Sequence, residues 1–576
     1  MRRFLVGTLA VIGFLAVLAI AGLVGAGYWY STRTQETRDI PDKVMLTVDL
    51  RSSYSETSDF SPFDYFSDNA PLSISELVLA LGKAATDDHV AGLFVRIAET
   101  EHGFAKAQEM LEALRHFGAG GKPTVGWADT IGEIGSGNEG YMIASALERL
   151  YVQPGGMIGL TGIAIEMPFA REFFDKIGVE PAVFRRGGYK TMMDNATHTG
   201  FSPEHREMME ALLDSLYDQL VASIAENRLL APAVVRTLVD KGPLSVEQAA
   251  EAGLIDGIEY RQTALDDFTE ELGDPEIMDI AEYFHIGQGN DDGNKPGKEN
   301  VGVALIRSAG NVVRGDQDLS ENIAGDTLAE TIREAVEDRH IEAIILRLDT
   351  GGGSAIASET IAHEIRTAVD EGKPVIISMG NLAASGGYWI AMGASRIVAQ
   401  PGTLTGSIGV IAGKPVIAGL SAKLGINWET IQRGENADMW SIARNFDVHG
   451  KAAMNTALDD IYGRFVKGVA EGRKLDVDAV ERIAQGRVWT GADALDIGLV
   501  DRLGGIPEAI DEARSLLALD DGRDVQIIPW PRPKSSIERL EEILDRQFGQ
   551  FAEAALIWNR LSSATGLARI PYFQIH

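Results

Sequence analysis

The sequence predicts an α/β fold of two tandem copies of one unit, led by an N-terminal transmembrane helix. Three observations carry this. Apolar, β-branched runs alternate with amphipathic helical stretches, the second half of the chain repeats the first, and Phe4 to Thr32 holds no charge. Strands alternating with helices form right-handed βαβ units around a largely parallel core.

The charge-free run comes first. It follows Met1-Arg2-Arg3 and reads FLVGTLAVIGFLAVLAIAGLVGAGYWY. About 20 helical residues cross a hydrocarbon core. Tyr28-Trp29-Tyr30 stands where an interfacial aromatic belt lies. Ala19-Ile20-Ala21 has the small-x-small form of a cleaved signal peptide. Such peptides carry an apolar region of only about 7–15 residues, so residues 1–32 are expected to stay as an anchor. Arg2 and Arg3 on one side face Arg33, Arg38 and Lys43 on the other, and charge leaves the orientation open.

The repeat organises the rest. Val90–Ile97 (VAGLFVRI) matches Ile341–Leu348 (IEAIILRL) at a shift of 251, and Gly121-Lys122-Pro123 matches Gly372-Lys373-Pro374. Gly140–Gly156 then matches Gly387–Thr403 at a shift of 247, a register that reaches Arg186-Gly187 against Arg433-Gly434. The loop ADTIGEIGSGNE holds the four-residue difference. This gives a first repeat over 41–285, a linker over 286–300 (IGQGNDDGNKPGKEN), a second repeat over 301–530 and a helical tail over 531–576. Long amphipathic stretches in both halves, EHREMMEALLDSLYDQLVASIAENR and KAAMNTALDDIYGRFVKGVAEGR, read as equivalent helices.

Composition bounds the function. The 576 residues are 45% hydrophobic and 24% charged, ordinary globular usage. Lys and Arg number 52 against 84 Asp and Glu, a net charge of −32, which argues against nucleic-acid binding. There is no Cys, so disulfides, thiolate catalysis and Cys-ligated metal centres are excluded. HExxH is absent too, and no cofactor is expected.

Two strand ends carry candidate chemistry. One strand ends in Asp349-Thr350-Gly351-Gly352-Gly353-Ser354, whose bare N–H groups can bind an anion or simply make a tight turn. The next ends in Gly380-Asn381-Leu382-Ala383-Ala384-Ser385-Gly386-Gly387. Small neighbours leave Ser385 open to a carbonyl substrate, although a Ser at a helix start also serves as an N-cap. If the two ends lie side by side, Gly386 N–H with that of Gly352 or Gly353 forms an oxyanion hole. None of the ten His has a catalytic setting, so the base is open at this point.

NLAASGGYWIAMGASRIVAQPGTLTGSIGV, the preceding LRLDTGGGS and FRRGGYKTMMD in the other half resemble the signal peptide peptidase A (protease IV) family over nearly the whole chain. The resemblance implies tandem duplicated Clp-protease/crotonase-like domains and a membrane-anchored serine endopeptidase. Its substrates would be cleaved signal peptides and other unfolded apolar peptides. It implies Ser385 as nucleophile, Lys190 as general base, Ser407 orienting the Lys amine, and Gly353 and Gly386 as the oxyanion hole. It also implies a homotetramer on the lipid bilayer of a bacterial inner membrane, single-pass, with a periplasmic catalytic body. The repeat agrees: Ser385 falls on Asn138, Gly386 on Glu139 and Lys190 on Ala437, so each half keeps part of one composite site. The family often has Pro and Asn where Gly351 and Asp349 stand, which predicts a freer loop and an extra carboxylate near the site. A catalytically degenerate assembly or binding protein and a crotonase-like acyl-CoA enzyme are the competing readings. The Ser385 setting and the anchor speak against the second of these.

Overall fold

The computed structural model describes residues 40–532 apart from 53, 57–70, 98, 100–101, 134, 290–299, 318–321 and 521–522. The anchor over 1–32, most of the linker and nearly all of the tail lie outside the described residues. Among the described residues, no helix is long and apolar enough to cross a membrane.

Each half holds a largely parallel sheet in which six strands repeat in the same order. The second sheet also carries Leu404–Gly406 on Val375–Ala384, and Val488–Thr490 antiparallel to Leu404–Gly406. The first sheet runs Gly257–Ile258, Arg149–Val152, Thr124–Ala128, Val90–Arg96, Val44–Asp49, Glu276–Asp279. The second runs Arg502–Leu503, Arg396–Ala399, Val375–Ala384, Ile341–Thr350, Val301–Ala309, Val525–Trp530 in the matching order. One irregularity matches as well: the register slips between Val44 and Met45 in one half and between Gly302 and Val303 in the other. Tyr141 Oη donates to Leu254 O at 2.7 Å, and its counterpart Tyr388 Oη donates to Leu499 O at 2.9 Å.

These strands are apolar on both faces because both faces are covered. In the second sheet Ile344 and Leu346 point into one layer with Ile361 and Ile365, while Ala343 and Ile345 point into the other with Ile506 and Ala509. In the first sheet Leu46 and Val95 face the larger cluster, and Met45 and Phe94 pack on Phe268. The two long amphipathic stretches are helices Pro203–Asn227 and Val448–Arg473, capped by Ser202 and Asp447. At the end of the first half, helix Ile280–Gly289 continues past residue 285.

The halves are interlocked. Strand Glu180–Arg186 of the first pairs antiparallel with Val410–Val416 of the second, Arg186 opposite Val410. Helix Phe104–Ala119 of the first half sends Glu109 into the second, where it meets Arg347 at 2.6 Å and accepts the Ile506 N–H at 2.9 Å.

Candidate active site

Strands Ile341–Thr350 and Val375–Ala384 run parallel, with Thr350 opposite Ala383, so both end at one edge. That edge brings the turn 351–353 against Ser385. Gly352 has φ of +98°, and a Cβ on it would lie 2.5 Å from Gly386 N and 3.0 Å from the Ser385 Cβ. Only glycine permits both the conformation and the approach.

Ser385 begins the short helix Gly386–Ala391 with φ of 56° and ψ of −115°, a sparsely allowed region for a residue with a Cβ. Its N–H is held by Gly406 O at 2.9 Å. The side chain makes no capping hydrogen bond. It is left free to turn towards Lys190, whose Nζ lies 2.9 Å from Ser385 Oγ. Such strain at a strand-to-helix corner is typical of functional residues.

The interlocking ribbon sets Lys190. Beyond Arg186 the chain turns at Gly187, Tyr189 N–H donates to Gln485 O at 2.8 Å, and Lys190 comes to rest on Gly486. A Cβ on Gly486 would stand 2.6 Å from the Lys190 Cβ. Nζ then meets Ser385 Oγ, Ser407 Oγ at 2.9 Å and Ser407 O at 3.0 Å. Ser407 is itself fixed by its N–H on Arg487 O at 2.7 Å. Lys190 is 5% exposed. Burial pushes its pKa down to about 8, since the charged form is poorly solvated there.

The glycine amides divide. Gly352 N–H donates to Thr350 Oγ1 at 3.0 Å. The N–H groups of Gly353 and Gly386 have no protein acceptor among the described residues. They are neighbours: a Cβ on Gly386 would lie 3.0 Å from Gly353 N. Of the two partners the sequence left open for Gly386, Gly353 is therefore the available one. Two convergent amides beside Ser Oγ can stabilise a tetrahedral oxyanion, and a lysine of lowered pKa can take the Ser proton.

Asp349 does not intrude. Its carboxylate accepts the Leu382 N–H at 2.9 Å and pairs with Lys106 at 2.8 Å. Asn381 accepts the Lys106 N–H at 3.0 Å and donates to His102 O at 2.8 Å. Both site-bearing strand ends are thus tied to one helical turn of the other half. Behind them the buried Arg347 is held by Glu56 and Glu109 at 2.9 and 2.6 Å. In the first half the matching corner is filled by Glu139, which accepts the N–H groups of His102 and Gly103 at 3.1 and 3.0 Å.

All five residues singled out from the sequence, Ser385, Lys190, Ser407, Gly353 and Gly386, meet at this corner. Thr350, Asp349, Lys106 and Asn381 support it and were not singled out as supports. Only the position of Asp349 and Thr350 beside the glycine triplet signals their role; Lys106 and Asn381 are ordinary helix and strand-end residues until the halves pack.

The chain matches Peptidase family S49 over residues 116–273 and 367–520, once in each half. It is 33% identical over 478 residues to the chloroplastic serine protease SPPA of Arabidopsis thaliana, covering 81% of this chain and 69% of that protein. It is 31% identical to Protease 4 of Haemophilus influenzae, covering 77% of this chain and 73% of the relative. Protease 4 of Salmonella typhi is 30% identical, with coverages of 78% and 72%. With a family match in both halves and relatives aligned along most of their length, the chain belongs to peptidase family S49 and is a serine endopeptidase.

Proposed function

We propose that Ser385 is the nucleophile and Lys190 its general base. The Ser385 Oγ proton passes to neutral Lys190 Nζ while Oγ bonds to the scissile carbonyl carbon. The carbonyl oxygen becomes an oxyanion held by Gly353 and Gly386 N–H. As it collapses the C–N bond breaks, and the Lys190 ammonium returns its proton to the leaving amine. Water, giving a proton to Lys190, then attacks the Ser385 ester; as the ester C–O bond breaks, the Lys190 ammonium returns that proton to Ser385 Oγ and the acid is released. Ser407 orients Nζ through Oγ and its carbonyl.

The observation that carries this reading is the 2.9 Å contact between Lys190 Nζ and Ser385 Oγ, with Lys190 buried and lowered to about 8. The full assignment is a membrane-anchored enzyme that degrades cleaved signal peptides and other unfolded apolar peptides. It comprises an anchor over 1–32, repeats over 41–285 and 301–530 joined by 286–300, and a tail over 531–576. It assembles as a homotetramer in a bacterial inner membrane, catalytic body periplasmic. A fluorophosphonate probe tests the site. Labelling of the full chain should vanish in Ser385→Ala; labelling that survives there overturns the assignment.

A further inference from the structure

We propose that Arg487 is a positioning residue for the Ser385–Lys190 pair: its backbone fixes Ser407 and its side chain fixes the residue next to Lys190, so that one residue holds the amine and the oxygens that orient it. The proposal rests on the assignment of nucleophile and base given above, and adds a residue that acts through Ser407 and Tyr189.

The chain over 485–489 runs behind the base. Gln485 O accepts the Tyr189 N–H at 2.8 Å, Gly486 packs on Lys190, and Arg487 O accepts the Ser407 N–H at 2.7 Å. The Arg487 side chain then crosses to the first half. Its Nη1 donates to Glu207 Oε1 at 2.7 Å, on helix Pro203–Asn227. The other oxygen of Glu207 accepts the Tyr189 hydroxyl at 2.9 Å. The guanidinium lies 5.0 Å from the centre of the Tyr189 ring and 4.5 Å from that of Trp489, within cation–π reach of both. Trp489 is pinned in turn, its Nε1 donating to Ile483 O at 2.9 Å. Arg487, Glu207 and Tyr189 thus close a ring of contacts beside the base, with members from both halves.

The repeat ties this ring to the lysine. A shift of 245 lays the helix cap Thr490 on the cap Ser245 and Gly498–Asp501 on Gly253–Asp256. At that shift Arg487 falls on Gly242 and Trp489 on Leu244, while Tyr189 falls on Asn436 at 247. Where Ala437 replaces Lys190, neither the guanidinium nor its rings are kept. A need for stability does not explain the ring. The Glu207 side chain is 57% exposed, and an ion pair so open to water stabilises a fold little. Placement does explain it, since moving a reacting group by about 1 Å costs about a hundredfold in rate.

The test is the rate at which a fluorophosphonate labels Ser385 in the full chain, followed against pH beside a circular dichroism spectrum. Burial alone lowers the Lys190 pKa, so an amine released from its contacts returns towards the ordinary lysine value. Arg487→Ala should slow labelling at pH 7 by about ten- to a hundredfold and move the midpoint of the profile to higher pH. A general loss of packing would lower the rate at every pH alike and leave the midpoint in place. Arg487→Lys keeps the charge but not the planar contact with two rings, and should stay closer to Arg487→Ala than to wild type. Glu207→Ala, at an exposed position, should move the midpoint the same way by less, and should add little on top of Arg487→Ala. If Arg487→Ala loses its circular dichroism spectrum, Glu207→Ala decides alone. Midpoints that stay at the wild-type value overturn the proposal, and full rescue by Arg487→Lys assigns the effect to charge and overturns it too. Labelling of Lys190→Ala at the wild-type rate removes the assignment of the base itself.

Discussion

Lys190 Nζ sits 2.9 Å from Ser385 Oγ although 195 residues separate them, one residue in each half of the chain. Neither half completes the pair by itself. The ribbon that joins the halves is thus also what brings the pair together.

Ser385→Ala and Lys190→Ala should each reduce peptide turnover by several orders of magnitude, and the double variant should lose little more, since residues acting as one unit are non-additive. Lys190→Arg should fail as well, because a guanidinium does not deprotonate in this range. Ser407→Ala should be milder, about ten- to a hundredfold in kcat, as an orienting defect. Steady-state kinetics on an apolar peptide checks all four. Near-normal turnover in Lys190→Ala would assign the proton to another group.

Activity should rise with pH through about 8 and then level, following deprotonation of buried Lys190. At pH 7 about one chain in ten holds the neutral amine, against about one in 2,500 for an unshifted lysine. A kcat/KM profile flat from pH 6 to 9 contradicts this.

The same group ties stability to pH. The folded pKa lies below the unfolded one, so between about 8 and about 10.5 the unfolded chain binds the extra proton. Stability contributed at this site therefore rises with pH across that window, by up to about 3 kcal/mol in all. Urea midpoints of wild type against Lys190→Met should move in favour of wild type from pH 7 to pH 10. Movement in the other direction shows that Lys190 is not held neutral by burial.

Gly386→Ala keeps the N–H but should push it out of place, cutting kcat by up to about 10²–10³-fold, the cost of losing an oxyanion donor. Its Cβ would press on Ser358 Oγ at 2.6 Å and on Gly353 N at 3.0 Å. Single-turnover acylation should slow in parallel. Unchanged acylation places the oxyanion elsewhere.

Glu109→Ala should destabilise by about 3–5 kcal/mol, because it strips a partner from the fully buried Arg347. Glu109→Gln, which keeps hydrogen-bonding atoms, should cost less. Loss below about 1 kcal/mol shows that Glu56 alone satisfies Arg347.

Deleting residues 1–32 should move the protein from the membrane to the soluble fraction with peptide turnover retained, since no site residue lies there. Full-length protein recovered without detergent contradicts the anchor.

The sequence by itself determined the duplication, the strand-and-helix alternation and the glycine-flanked Ser385. These depend on local periodicity and on small residues at turns, which are written residue by residue. The split of the site was legible too, in Asn138 facing Ser385 and Ala437 facing Lys190 across the repeat. Lys190 as partner of Ser385 came from resemblance, because an isolated lysine near a turn carries no local mark of burial. Only the tertiary structure decided which glycine amide stays free: Thr350 Oγ1 takes that of Gly352 and leaves that of Gly353. It also turned Asp349 from a suspected intruder into an anchor for Lys106 and the Leu382 N–H. The Lys106 pair joins the two halves, while the Thr350 and Leu382 contacts lie within the second half and turn on how the packed strand ends orient their side chains, so packing rather than local pattern decides which polar groups meet.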